Sequence, residues 1–118
     1  MSREDLEKRQ VLWLALSELY LDTELSDQDY NFIKVQVLQA GFSLQDAESI
    51  DRYEVFPLLY SNLLSPVGVW SGFDKNWLYQ NCEKYYTIRG SLFHQWKCDW
   101  LCMIYGKIRK DIWAKLNS

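Results

Sequence analysis

Large apolar residues recur along this chain at steps of three and four, with polar residues between them, and strict alternation is absent. This spacing is typical of helices that bury one side. The first predicted helix opens at Ser2, with Asp5 three residues later as its capping partner, and runs to about Asp22. Its buried side consists of Leu6, Leu12, Trp13, Leu16, Leu19 and Tyr20.

Two further helices have clear ends in the sequence. Ser26 and Asp29 have the spacing of a capping box, and Gly41 supplies a left-handed stop. We expect this second helix to bury Tyr30, Ile33, Val37 and Leu38. Ser43, with Asp46 three residues later, opens a third helix that buries Leu44, Ala47 and Ile50.

Both prolines and two of the five glycines fall between Glu54 and Leu78, in the stretch EVFPLLYSNLLSPVGVWSGFDKNWL. Because Pro57 has no N–H to donate, the third helix should end or bend before it. A new helical segment from about Val55 to Leu64 would place Pro57 in its first turn, where proline is tolerated. Residues Pro66 to Gly72 then form an irregular connection that is apolar enough to be buried.

Two helices complete the chain. Asp74 is a good N-cap for the first, which carries Trp77, Leu78, Cys82 and Tyr85 and ends near Gly90. Ser91 opens the last and longest helix. Its apolar stripe predicts the side that packs on the rest of the chain, namely Phe93, Trp96, Trp100, Ile104, Ile108 and Ile112.

Every periodic segment is therefore helical, and 118 residues suffice for one hydrophobic core. We predict an all-α fold, a compact single-domain bundle of five to six helices over residues 1–118 with a long C-terminal helix. No apolar run is long enough to cross a membrane, and the charged first ten residues lack the apolar centre of a secretory signal. Three cysteines cannot all pair within one chain, so we expect reduced thiols and a cytoplasmic location.

Charge is unevenly placed in this chain of net charge −3. From Glu18 to Glu54, nine acidic residues stand against two basic ones, a net charge of −7. From Lys84 onward, seven basic residues stand against two acidic ones, a net charge of +5. Because an acidic surface steers basic partners towards it, the first segment indicates a basic partner. The basic tail has no nucleic-acid-binding motif, so we expect a solvated helix face and no direct contact with nucleic acid.

One constellation of His and Cys residues is a candidate for chemistry. His94, Cys98 and Cys102 recur at steps of four on one side of the last helix, where they suit a zinc ion with Cys82 as fourth ligand, or a Cys–His nucleophile. The closely spaced ligand pairs of structural zinc sites are missing, and nothing indicates an activated thiolate. Buried thiols are the better interpretation.

Carboxylates form the other candidate. Asp22, Glu24 and Glu54 are the residues that an acid–base or metal-dependent hydrolase would use. Such an enzyme also needs a cleft, which the sequence does not indicate. We therefore interpret the acidic residues as a solvated face that meets a basic partner.

The stretch LYLDTELSDQDY, from Leu19 to Tyr30, and the Glu54–Leu78 stretch together resemble a known family. This is a small, all-helical bacterial family of unknown function, and the resemblance covers about residues 11 to 80. Val69 departs from it, because the family pattern has an acidic residue before Trp70. The family has no assigned active site, so the resemblance implies no catalytic residue. Small acidic helical chains of this kind are similar to the immunity proteins of contact-dependent growth inhibition and polymorphic toxin systems.

We therefore expect an immunity protein, an antitoxin that occludes the active site of a toxin domain, with a basic nuclease such as an RNase as that toxin. The expected contact residues are Asp22, Glu24, Asp27 and Asp51, with Tyr53 as an aromatic anchor. We expect a monomer in a 1:1 complex, with no catalytic residue, cofactor or metal and no membrane contact. The alternatives are a helical interaction module without a toxin partner, and a carboxylate-dependent hydrolase.

Overall fold

The computed structural model describes residues 2–21, 24–64, 68–69 and 71–117. Helix α1 spans Arg3–Ser17 and continues into a 3-10 turn, Glu18–Tyr20. The hydroxyl of Ser2 accepts a hydrogen bond from the Asp5 backbone N–H, which confirms the predicted start. The predicted apolar side is also confirmed, since all its members are buried except Leu6, which is half-buried.

Helix α2 spans Asp27–Gln39 and has both predicted ends. Ser26 and Asp29 form a reciprocal capping box, and Gly41 takes a φ of 94°. The predicted buried side is confirmed for Tyr30, Ile33 and Val37 but wrong for Leu38, which is 51% exposed.

Helix α3, Leu44–Ile50, continues without a gap through a π-helical segment, Asp51–Val55, into helix α4, Phe56–Leu64. Pro57 therefore lies in the first turn of a new α-helical segment, as predicted. A proline cannot bond the carbonyl four residues before it, here that of Tyr53. His94 Nε2 lies 2.8 Å from this oxygen and donates to it, so the carbonyl is satisfied from another helix.

The connection after α4 is described only in part. Pro66 and Trp70 lie outside the described residues, and Val69 is 41% exposed, so burial of the connection is wrong at that position. Helix α5 spans Lys75–Thr87, and the Asp74 side chain accepts from the backbone N–H of its third residue, which confirms the predicted N-cap. The last helix, α6, is the longest and spans Leu92–Asn117.

The core is centred on α1, which packs against α2, α5 and the π-helical segment. Helix α6 closes the bundle by packing against α2 and the π-helical segment. All regular structure in the described residues is helical, and the predicted all-α fold with a long C-terminal helix is confirmed. None of the described helices is both long enough and apolar enough to cross a bilayer.

Candidate partner-binding surfaces

The acidic residues predicted to meet a partner do not share one surface. Glu24 and Asp27 are exposed, just before α2 and at its first position, whereas Asp22 lies outside the described residues. Asp51 is completely buried in the π-helical segment. Its prediction as a contact residue is therefore wrong, because no partner can reach it.

The buried carboxylate of Asp51 is satisfied by three donors from other parts of the bundle. The Tyr20 hydroxyl donates over 2.8 Å, and both Arg109 Nε and Trp113 Nε1 donate over 3.0 Å. Arg109 also donates to the side chain and the carbonyl of Glu48 over 2.7 Å each. Burial raises the pKa of the Asp51 carboxyl, and the adjacent Arg109 guanidinium opposes that rise. This arrangement holds α6 to the centre of the bundle.

Glu54, three residues along the same segment, has a parallel arrangement. It is fully buried, and Arg9 binds it with both Nε and an Nη atom at 2.8 and 2.7 Å. Arg89 donates to it over 2.6 Å and Trp13 Nε1 over 3.0 Å. With no access to water and all these donors in place, Glu54 is not free to activate a water molecule. The hydrolase alternative that uses Glu54 is therefore not supported.

Tyr53 is half-buried rather than an exposed anchor. The guanidinium carbons of Arg52 and Arg89 lie 5.7 and 5.3 Å from the centre of its ring. Arg52 also forms an ion pair with Asp99 at 2.7 Å. Tyr53 is thus held between basic side chains of its own chain.

These contacts neutralise part of the uneven charge along the sequence. Three acids of the acidic segment, Glu48, Asp51 and Glu54, are paired with arginines, two of which come from the basic C-terminal part. Much of the charge separation along the sequence is therefore cancelled by internal ion pairs. The exposed negative charge that remains in the described part of this segment comes from Glu24, Asp27, Asp29 and Asp46.

The structure does bring His94 and Cys98 together, with His94 Nε2 3.4 Å from Cys98 Sγ and both side chains buried. The His94 Nε2 proton is donated to the Tyr53 carbonyl, so this nitrogen cannot accept a proton from the thiol. Burial also raises the pKa of the Cys98 thiol to about 11, which keeps it protonated near neutral pH. The buried-thiol interpretation is confirmed for Cys98 and Cys82.

One exposed surface lies on the outer side of α2, and we call it the α2 face. Phe32 is 62% exposed, with Val35 at 40% and Leu38 at 51% on the same side of the helix. The face is defined by Asp27, Asn31, Phe32, Val35 and Leu38. Exposed Glu24 lies just before its N-terminal end, so apolar and acidic groups adjoin.

A second and larger surface lies on the outer side of α6. The predicted packing stripe of this helix is wrong, because all its members except Ile112 are between 40% and 74% exposed. The side that packs inward instead carries His94, Cys98, Leu101, Arg109, Ile112, Trp113 and Leu116. The outer side, which we call the α6 face, consists of Leu92, Phe93, Trp96, Trp100, Met103, Ile104 and Ile108.

Sequence reasoning missed the α6 face because it assigned the most apolar side of this helix to the core, whereas the polar residues of the inner side, His94 and Arg109, have buried partners on another helical segment. On α2 it placed the inner side correctly and was wrong only at Leu38. An available signal was that α6 carries apolar residues around most of its circumference, more than one small bundle can cover.

No curated protein and no solved structure matches the chain. A family model does match, over residues 7–118, so it includes the C-terminal part that the motif resemblance left out. The chain therefore belongs to the family described as a domain of unknown function, DUF7079.

Proposed function

We propose that the protein acts by binding another protein, and more specifically that it is an immunity protein that neutralises a basic toxin domain through the α2 face. The single observation that carries this proposal is the exposure of Phe32, Val35 and Leu38 beside the acidic start of α2. An apolar centre with a charged rim is the usual anatomy of a protein interface.

The apolar residues would supply most of the affinity. Phe32 is the largest side chain on the α2 face and the most exposed of its apolar residues. Aromatic side chains that become fully desolvated dominate interface energies, and neighbouring polar residues such as Asn31 help to exclude water.

The acidic residues would raise the rate of association and favour basic partners over others. Glu24 and Asp27 are exposed and have no arginine partner among the ion pairs of the described residues. A nuclease presents positive charge where it binds phosphate, so an acidic inhibitor is steered to that site and covers it. Inhibition by occlusion requires no catalytic group from this chain.

The experiment is co-purification of the tagged protein with the product of the adjacent upstream gene, followed by a growth-protection assay. We expect a stable complex with one toxin domain for each copy of the chain, and rescue from toxicity. Glu24→Lys with Asp27→Lys should slow association about tenfold at low salt and weaken its salt dependence. Phe32→Ala should speed dissociation by about tenfold or more.

Glu83→Lys is the matched control, since Glu83 is an exposed acid on α5 and away from the α2 face. Protection that survives every α2 substitution would show that the toxin binds elsewhere. A complex without toxicity or protection would favour the alternative, an interaction module with a different partner. The absence of both complex and protection would overturn the immunity proposal.

A further inference from the structure

The α6 face is too large to be an ordinary part of a monomer's surface. From Leu92 to Ile108 it extends about 24 Å along the helix at 1.5 Å per residue. Its seven side chains together expose roughly 900 Å², whereas the largest apolar patch of a typical monomer is about 300–600 Å². A surface of this kind marks an interface.

The spacing of the α6 face suits another helix. Phe93, Trp96, Trp100 and Met103 follow one another at steps of three, four and three. This alternation places apolar side chains along a straight seam and is the pattern of paired helices.

We propose that the α6 face is covered by the same face of a second copy, with the two α6 helices antiparallel about a two-fold axis near Trp100. Two such faces offer at most roughly 1,800 Å² for burial, and stable interfaces bury about 1,200–2,000 Å². Two-fold homodimers are also the commonest soluble oligomers, because one surface pairs with itself.

The charges around the seam favour this antiparallel pairing. The aromatic residues lie towards the N-terminal end of the α6 face, whereas Lys107 and Lys110 lie towards the C-terminal end of the helix. In the antiparallel register, Lys107 of one copy lies near Phe93 of the second copy, a cation–π pairing. The two Lys107 residues are then about 20 Å apart, whereas a parallel pairing would bring them together.

The same charges disfavour a lipid surface as the partner that covers the α6 face. Lys97, Lys107 and Lys110 lie in or beside the α6 face, but exposed Asp99 and Asp111 lie there as well. Since Arg52 already neutralises Asp99, the three lysines against Asp111 leave a net charge of +2 to attract an anionic bilayer, where each nearby basic residue contributes about 1 kcal/mol. In the dimer, by contrast, Asp111 approaches the N-terminal end of the second copy's α6, where the helix dipole favours a negative charge.

Sedimentation equilibrium on the full chain, from about 1 to 100 µM, tests the inference in a range where interfaces of this size associate. We expect a dimer, and we expect Trp96→Glu with Trp100→Glu to weaken it about 100-fold or more. These side chains are exposed, so far-UV circular dichroism should be unchanged. Trp77→Glu, at an exposed Trp on α5, is the matched control and should leave the dimer intact.

Disulfide trapping tests the register. Trp100→Cys should form a covalent dimer in oxidising buffer, because the two copies of position 100 meet at the two-fold axis. Lys110→Cys should not, since its two copies lie at opposite ends of the interface.

Each of three results would overturn the inference. These are a monomer at 100 µM, a dimer unaffected by the double Trp→Glu substitution, and binding of the monomer to vesicles of phosphatidylglycerol. None of these results depends on the proposed toxin partner.

Discussion

Arg109 reaches Asp51 across 58 positions of the sequence, with Nε 3.0 Å from the carboxylate Oδ2. Arg109 belongs to α6 and Asp51 to the π-helical segment, and the two side chains are 8% and 0% exposed. The pair therefore fixes which side of α6 faces the core and, with it, which side stays outside.

Loss of Arg109 should be strongly destabilising. In Arg109→Met the Asp51 carboxylate stays buried with only its neutral donors, Tyr20 and Trp113. We expect the free energy of unfolding to fall by about 3–5 kcal/mol, as for other buried pairs that lose one partner. Urea denaturation measures it.

A double variant tests whether Asp51 and Arg109 stabilise the fold as a pair. Asp51→Asn with Arg109→Met removes both charges, so it should cost less than the two single changes added together. Additive losses would show that the two side chains do not stabilise the fold as a pair.

Replacing Glu54 should weaken the contacts of the π-helical segment with α1 and with the turn after α5. Glu54→Gln keeps the shape but leaves Arg9 and Arg89 facing a neutral group. Their side chains are 16% and 29% exposed and retain some water, so we expect a loss of about 2–4 kcal/mol. Glu24→Gln, at an exposed acid, should change stability by less than about 0.5 kcal/mol. Equal effects of the two changes in urea denaturation would contradict a structural role for Glu54.

The ends of the helices could be predicted from sequence because their causes are local. Ser26 bonds a backbone N–H three residues away, and Asp74 does the same at the start of α5. Such contacts depend only on spacing, which the sequence contains in full.

The candidate surfaces could not be predicted because their causes are distant. Whether Asp51 is a surface acid or a buried one depends on Arg109, and nothing local distinguishes it from exposed Asp27. The inner side of α6 is chosen by the partners of Arg109 and His94 rather than by hydrophobicity. A rule that assigns the most apolar stripe of a helix to the core therefore turns the wrong side of α6 inward.

Stability should fall as the solution becomes alkaline. Burial raises the pKa of the Cys98 thiol from its usual 9.0 to about 11, so the folded state holds this proton more tightly than the unfolded state. The stability that this proton contributes is complete below about pH 9 and is lost as the pH rises towards 11. The loss is about 1.4 kcal/mol for each unit by which the folded-state pKa exceeds the unfolded-state pKa. Urea midpoints from pH 8 to 11 measure it.

Cys98→Ala provides the comparison for this pH dependence. The variant should be less stable at neutral pH because it loses buried volume, but its loss of stability between pH 9 and 11 should be shallower. Thr87→Ser, at an exposed residue that does not titrate in this range, should keep the slope of the original chain. A Cys98→Ala slope equal to that of the original chain would assign the alkaline loss to other buried groups, such as Tyr20, whose pKa burial also raises.

Two glycines should respond in opposite directions to the same change. Gly41 ends α2 with a φ of 94°, its N–H donating to the Leu38 carbonyl and the next N–H, of Phe42, to the Val37 carbonyl. An L side chain is strained at this φ, so Gly41→Ala should destabilise by about 1 kcal/mol although no atom lies within 4 Å of the added Cβ.

Gly106 lies within α6, where the added Cβ also meets no atom within 4 Å. Gly106→Ala should therefore stabilise by about 0.5–1 kcal/mol, because alanine loses less backbone entropy in a helix. Thermal unfolding compares the two variants, and a stabilised Gly41→Ala would contradict the left-handed end of α2.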